Sequence, residues 1–132
     1  MRLWDAREGA PRSTWTQPSP VLDAAFESSG AALSASLDQT VRRHDFATGQ
    51  ETAVGSHEAG VRCVEWLPSV GLAASGGWDS TLRLWDLRAA PGGQGAVATV
   101  QLPGKVYTMA QSEARLVVGT SGRHIDVFDL RT

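Results

Sequence analysis

His57, Ser75 and Asp79 are the residue types of a nucleophilic triad, and they fall within one short stretch of the 132-residue chain. In such a triad the serine oxygen attacks, the imidazole takes its proton and the carboxylate orients the ring. Trp85 follows close behind, with an indole N–H that can only donate. Catalysis would need an exposed serine oxygen with an oxyanion site beside it. Ser75 instead lies inside Leu72-Ala73-Ala74-Ser75-Gly76, a small-residue strand pattern that runs on into Gly77 with no strand-to-helix elbow. The same four residues suit a buried hydrogen-bonded relay better. Asp79 would accept from the His57 ring, His57 would bond the Ser75 hydroxyl, and Ser75 would accept from Trp85. A fully paired relay stabilises its surroundings, and removing one member strands the others at roughly 1–3 kcal/mol. These residues therefore predict a structural tetrad, with no catalytic residues, no metal site and no cofactor.

A tetrad needs strands to hold it, and a repeat supplies them. An apolar or basic residue, an aromatic ring or histidine, and then aspartate recur as Leu3-Trp4-Asp5, Arg43-His44-Asp45, Leu84-Trp85-Asp86 and Val127-Phe128-Asp129. The aspartates are 40, 41 and 43 positions apart. A period of roughly 40–45 residues carrying a Trp-Asp pair is the signature of four-stranded propeller blades. Upstream, Asp38-Gln39-Thr40-Val41-Arg42 aligns with Asp79-Ser80-Thr81-Leu82-Arg83, and small-residue strands precede both. Apolar strands come earlier still, over 21–26, 61–66 and 106–110, and further strands follow over 50–54 and 96–102. Short strands separated by Gly, Ser, Pro and Asp read as antiparallel meanders, and no helical period is sustained. Ala32, Ala35, Ala73, Ala74, Ser75 and Gly76 suit the crowded inner strands of tapering blades.

The predicted fold class is all-β, a partial WD-repeat β-propeller forming an open arc of about three four-stranded blades. Residues 1–17 would give outer strands of a first blade, 18–56 a second blade and 57–102 a third. Residues 103–132 would give a fourth blade lacking its outer strand. The second repeat keeps Ser34 and Asp38 but has His44 in place of tryptophan, with Pro18-Ser19-Pro20 where a histidine would precede the strand. The fourth is expected to place Val117, Ser121 and Phe128 at the tetrad positions, leaving apolar packing to hold it. Cys63 reads as a small core residue. Arg42-Arg43 reads as one outward arginine and one along the blade edge. The Pro91-Gly92-Gly93-Gln94-Gly95 loop has no Lys-Ser/Thr after it and is assigned no chemistry.

Composition narrows the function classes. Hydrophobic residues make up 42% and charged residues 20%, a globular balance. The formal net charge of −2 argues against nucleic-acid or membrane-surface binding, which usually shows a basic excess. A single cysteine allows no intramolecular disulfide and points to an intracellular chain. No apolar run approaches the roughly 20 residues of a membrane helix, and the first residues lack a signal-peptide core.

Several strings go further than the repeat. Val21-Leu22-Asp23-Ala24-Ala25-Phe26, Val54-Gly55-Ser56-His57, Val61-Arg62-Cys63-Val64-Glu65 and Gly76-Gly77-Trp78-Asp79-Ser80-Thr81 resemble stretches of the mitotic-checkpoint WD-repeat family. Lys105-Val106-Tyr107-Thr108, Leu116-Val117-Val118-Gly119-Thr120, Gly122-Arg123, Asp129-Leu130-Arg131 and the His44-Asp45 pair resemble it too. The resemblance implies a seven-bladed, non-enzymatic interaction scaffold of the spindle assembly checkpoint. Its partners would be peptide motifs of checkpoint kinases and a kinetochore scaffold, and its location the nucleus and kinetochore, with the cytoplasm as well. Several basic residues which that family uses for phosphate contact would lie in later blades, outside this sequence. The messenger-RNA export WD-repeat factor that binds a nucleoporin is similar in design and gives the alternative. A truncated product without independent function is a third reading.

Propellers bind peptides on the face made by loops entering the innermost strands and by second-to-third strand turns, and loops on a rigid scaffold tend to carry function. Here those positions are Leu37, Trp78 and Thr120 in the turns, with Glu58, Gly60 and Lys105 before the inner strands. Trp78, beside two glycines, is expected to offer a rigid ring to an incoming chain.

Overall fold

The computed structural model describes residues 1–28, 30–88 and 95–130. Every regular element in them is a strand. β1 (Arg2–Asp5) and β2 (Ala10–Thr14) form a two-stranded sheet. β3 (Val21–Ser28), β4 (Ala31–Ser36), β5 (Thr40–Asp45) and β6 (Glu51–Ser56) form a four-stranded antiparallel meander. β7 (Val61–Leu67), β8 (Leu72–Gly77), β9 (Thr81–Trp85) and β10 (Ala98–Gln101) form a second one. β11 (Val106–Gln111), β12 (Arg115–Thr120) and β13 (Ile125–Asp129) form a three-stranded sheet. Residues 91–94 of the glycine-rich loop lie outside the described residues.

The recurring aspartates have a local task at the ends of strands. Asp5 Oδ1 accepts from the backbone N–H groups of Arg7 and Glu8, at 2.9 and 3.2 Å. Asp45 Oδ1 does the same for Ala47 and Thr48, at 2.9 and 3.1 Å, and Asp86 Oδ1 accepts from Arg88 N–H at 3.0 Å. Each side chain takes the place of a backbone acceptor and turns the chain toward the next strand. The turns after Asp5 and Asp45 close on Gly9 (φ 67°) and Gly49 (φ 73°), a conformation that costs a residue without a β-carbon least.

The buried apolar clusters of the described residues lie between sheets. One apolar cluster, with Leu33, Val41, Val61, Val64, Ala73 and Trp85, joins the β3–β6 sheet to the β7–β10 sheet. A second, with Cys63, Leu82, Leu102, Val106, Met109, Leu116 and Val118, joins β7–β10 to β11–β13. The all-buried strand Ala31–Ser36 and the small residues of β8 let the sheets come this close. A β-carbon on Gly76 would stand 2.5 Å from Val106 of the next sheet.

Each innermost strand also bulges at the same place, between Val21 and Asp23, Val61 and Cys63, and Val106 and Thr108. The side chain just past the bulge reaches the neighbouring sheet. Asp23 Oδ2 accepts the Val64 N–H at 3.0 Å, and the Cys63 sulfur receives the Met109 N–H. Cys63 is buried, and burial first, with the Asp23 charge next, pushes its thiol up to about 11. It is packed and unreactive at neutral pH.

Candidate functional site

The structure brings His57, Ser75, Asp79 and Trp85 together. Asp79 Oδ1 lies 3.0 Å from His57 Nδ1, His57 Nε2 lies 2.7 Å from Ser75 Oγ, and the Trp85 indole N–H donates to Ser75 Oγ at 2.8 Å. One tautomer satisfies the whole row: Nδ1–H donates to Asp79, the Ser75 hydroxyl donates to Nε2, and Ser75 accepts from Trp85. Ser75 has no exposed surface and its oxygen is committed on both sides, so no substrate can reach it. The arrangement is a clamp between strands.

Two further residues, absent from the tetrad expected from the sequence, join it. Thr81 donates its hydroxyl to Asp79 Oδ1 at 2.7 Å and stands 3.1 Å from His57 Nδ1. Arg83 donates to Asp79 Oδ2 at 3.3 Å and to the Ser56 carbonyl at 3.3 Å. Burial alone would raise the Asp79 carboxyl; the Glu58 N–H, His57 and Thr81 outweigh it and bring the group to about 2. Burial lowers the His57 pKa, opposed by its bond to Asp79. The signal for Thr81 and Arg83 was present in the aligned Asp-x-Thr-x-Arg strings. In the preceding sheet Arg42 likewise donates to both Asp38 oxygens, at 3.2 and 2.7 Å. Arg43 pairs with Glu27 at 2.6 Å, so neither arginine is simply an outward charge.

The preceding sheet keeps a shortened form of the clamp. Ser34 Oγ lies 2.9 Å from His44 Nε2, and the Trp15 ring meets His44 edge-on at 5.3 Å. Burial first lowers the His44 pKa.

For β11–β13 the positions expected from the sequence need correction by one residue. Leu102 donates its N–H to the Ser80 carbonyl as His57 does to that of Gln39, both at 2.8 Å, so Leu102 stands where the histidine would. Phe128 pairs with Leu116 as Trp85 pairs with Ala73, which places Val118, not Val117, opposite Ser75. Gly122, not Ser121, falls at the position of Asp79. The 43-residue offset of the final aspartates runs unbroken back through the turn, which puts the tetrad positions at 118 and 122 and not at 117 and 121. Leu102, Val118 and Phe128 form an apolar equivalent of the relay.

The same correction moves one residue of the candidate binding face. Leu37, Trp78 and Ser121 donate their N–H groups to the carbonyls of Pro20, Gly60 and Lys105, at 2.9, 2.9 and 2.8 Å. Gln39, Ser80 and Arg123, two residues on, all have positive φ, of 78°, 64° and 64°. Ser121 is therefore the counterpart of Leu37 and Trp78. Thr120 is buried as the last residue of β12 and does not line the face.

The remaining positions divide plainly. Leu37 is 41% exposed and Trp78 is half-buried. A β-carbon on Gly60 would come 3.1 Å from the Trp78 ring and 3.2 Å from Leu37, so these two side chains converge above a bare, buried glycine. Glu58 is exposed, with its N–H held by Asp79 at 3.0 Å. Lys105 is exposed, and its N–H donates to Ser121 Oγ at 2.9 Å. The relay thus fixes the underside of the loop that carries Glu58 and Gly60. Among the described residues no group of three or more His, Cys, Asp or Glu side chains could hold a metal ion.

Repeated meanders sharing interleaved cores, a Trp-Asp repeat and the His-Ser-Asp-Trp clamp define a WD-repeat β-propeller chain. Residues 49–86 match the WD domain, G-beta repeat family. That unit begins just before β6 of one sheet and ends just after β9 of the next, so the sequence repeat itself straddles the seam. Over 132 residues the chain is 37% identical to the mitotic checkpoint protein BUB3.1 of Arabidopsis thaliana, covering 99% of this chain and 39% of that protein. It is 40% identical over 109 residues to the mRNA export factor GLE2 of Chaetomium thermophilum, covering 80% of this chain and 29% of that protein. The WD40 β-propeller domain of Doa1 superposes with a TM-score of 0.80 at 20% identity, over 87% of this chain and 39% of that one. The chain spans about two-fifths, 39%, of the length of the checkpoint relative. The similarity to mitotic checkpoint proteins agrees with the resemblance drawn from the sequence strings.

Proposed function

We propose that the chain supplies part of the peptide-binding face of a non-enzymatic interaction scaffold of the mitotic-checkpoint type. Its partners would be short motifs of checkpoint kinases and of a kinetochore scaffold, and its place of action the nucleus and kinetochore. The observation that carries the reading is the convergence of Leu37 and Trp78 over Gly60. A partly exposed aromatic ring next to an aliphatic side chain, over backbone with no side chain, is a shelf for one apolar residue of an extended peptide. Such aromatic anchors dominate interface energetics. The relay beneath it keeps the shelf in place without taking part in binding.

A second reading has its own support, since the identity to the mRNA export factor GLE2 reaches 40% over 109 residues. In that case the peptide would come from a nucleoporin. Fluorescence anisotropy with a labelled checkpoint-kinase motif peptide and a labelled nucleoporin motif peptide, run side by side on the same chain, separates the two. Trp78→Ala is expected to weaken the preferred peptide about thirtyfold, the loss of roughly 2 kcal/mol typical of an aromatic anchor. Its circular dichroism is expected to remain that of the parent. Unchanged affinity would remove Trp78 from the site.

A further inference from the structure

The chain has eleven arginines and a single lysine, Lys105. Arg42, Arg43, Arg83 and Arg88 all sit in ion pairs with aspartate or glutamate. Lys105 has no ion pair and no side-chain hydrogen bond among the described residues, and it is exposed at the proposed binding face. We infer that Lys105 is an acylation site, through which a covalent modification changes that face by one charge without touching the fold.

Three features favour it. First, both backbone groups of Lys105 are pinned to one residue: its N–H donates to Ser121 Oγ at 2.9 Å and its carbonyl accepts from Ser121 N–H at 2.8 Å. The stem therefore leaves a fixed point, and only the flexible side chain remains to meet a reagent. Second, the surroundings are nearly bare backbone. A β-carbon on Gly104 would stand 2.6 Å from Gly122 N, so two glycines in contact and the small Ser121 flank the backbone of Lys105. At the matching corner of the β7–β10 sheet the Trp78 ring covers that ground. Third, guanidinium groups cannot be acylated under conditions that acylate amines, so the arginines are inert to the reaction that removes the charge of Lys105. The remaining amine, at Met1, donates to the Trp15 carbonyl at 2.7 Å.

The donor is an acyl thioester. The Nζ lone pair attacks the thioester carbonyl carbon, the C–N bond forms as the C–S bond breaks, the sulfur departs as thiolate, and the proton shed by the nitrogen passes through solvent to give the free thiol. No oxidant or reductant is involved. The effect on binding rests on the peptide-face reading above, whereas the acylation does not.

The test uses the full chain with acetyl-coenzyme A at about pH 9, with N-acetyl-lysine amide in the same tube as an unhindered standard. Mapping after arginine-directed digestion is expected to show Lys105 acetylated at a rate matching the standard, with the melting midpoint unmoved. Reaction more than about tenfold slower than the standard, or a fall in melting midpoint on modification, overturns the proposal. Peptide affinity measured before and after treatment is expected to change about threefold in the parent, the scale of one exposed charge contact. It is expected not to change on treatment in Lys105→Arg, which keeps the charge and offers no amine. An affinity unaltered by acetylation in the parent removes the regulatory role. If neither peptide binds the untreated chain, the peptide-face reading fails while the labelling result stands.

Discussion

In β7–β10 a tryptophan, a serine, a histidine and an aspartate meet where β11–β13 places Phe128, Val118, Leu102 and Gly122. Both sheets pack against the same apolar cluster, and Val118 has no exposed surface. One architecture therefore tolerates two chemistries at the same points, provided that each is complete. Removing one partner of a buried polar pair leaves the other stranded, whereas replacing every partner by an apolar group of similar shape is close to neutral. The β3–β6 sheet lies between the two, with Ser34 and His44 paired but His44 Nδ1 lacking a hydrogen bond. The apolar version carries its own flaw at Asp126, which takes the place of Arg83. With glycine at position 122 there is no turn carboxylate to pair an arginine, and Asp126 Oδ2 is buried without a hydrogen bond.

The contrast is most severely broken by Asp79→Ala. His57 Nδ1, the Glu58 N–H, Thr81 and Arg83 would all lose their acceptor, and a loss of about 3 kcal/mol in urea-unfolding stability is expected. A loss below about 1 kcal/mol would mean that the relay holds little of the sheet. Next comes Val118→Ser, which puts a relay residue among apolar neighbours. A buried hydroxyl with nothing to bond, together with the lost methyl groups, is expected to cost about 2 kcal/mol in the same assay. If that variant proves neutral, the two chemistries are interchangeable piece by piece, and completeness is not the rule.

The smallest effect is that of mild acid. Burial lowers the folded-state pKa of both His57 and His44, so the unfolded chain takes up those protons first, near the ordinary value of about 6.5. The histidine contribution is thus fully present above that pH and declines as the pH falls below it. Asp79, at about 2 when folded, adds its own loss only as the pH drops from the ordinary aspartate range toward that value. Melting temperatures recorded between pH 7.5 and 5 are expected to fall in the parent chain, and to fall less in His57→Leu. Equal slopes would show that His57 does not carry the acid sensitivity.

Much of this was readable from residue types and spacing, because a repeat reports each position several times. The aspartate period marks the meanders, and the strings Asp-Gln-Thr-Val-Arg and Asp-Ser-Thr-Leu-Arg mark the turn that holds the clamp. In the fourth repeat the positions expected from the sequence fall one residue short of those in the structure, since valine stands at both 117 and 118 and an apolar pair gives no cue to which member faces the core. Strand pairing supplies that cue, and it moves Thr120 inward and Ser121 outward. The convergence of Leu37 with Trp78 was not visible at all. These residues are 41 positions apart in different sheets, and only the absence of a side chain at Gly60 lets them meet.

The grip of Asp23 on the Val64 N–H, and of Cys63 on that of Met109, bears on how the array comes apart. These amides belong to one sheet but are protected by the side chain of the sheet before it, and the apolar clusters are likewise held in common. Opening the β7–β10 sheet therefore exposes surface at both clusters at once, whereas opening β3–β6 or β11–β13 exposes surface at one of them. The middle sheet, β7–β10, is clasped from both sides and also carries the complete relay. It is expected to be the last of these sheets whose amides exchange with deuterium.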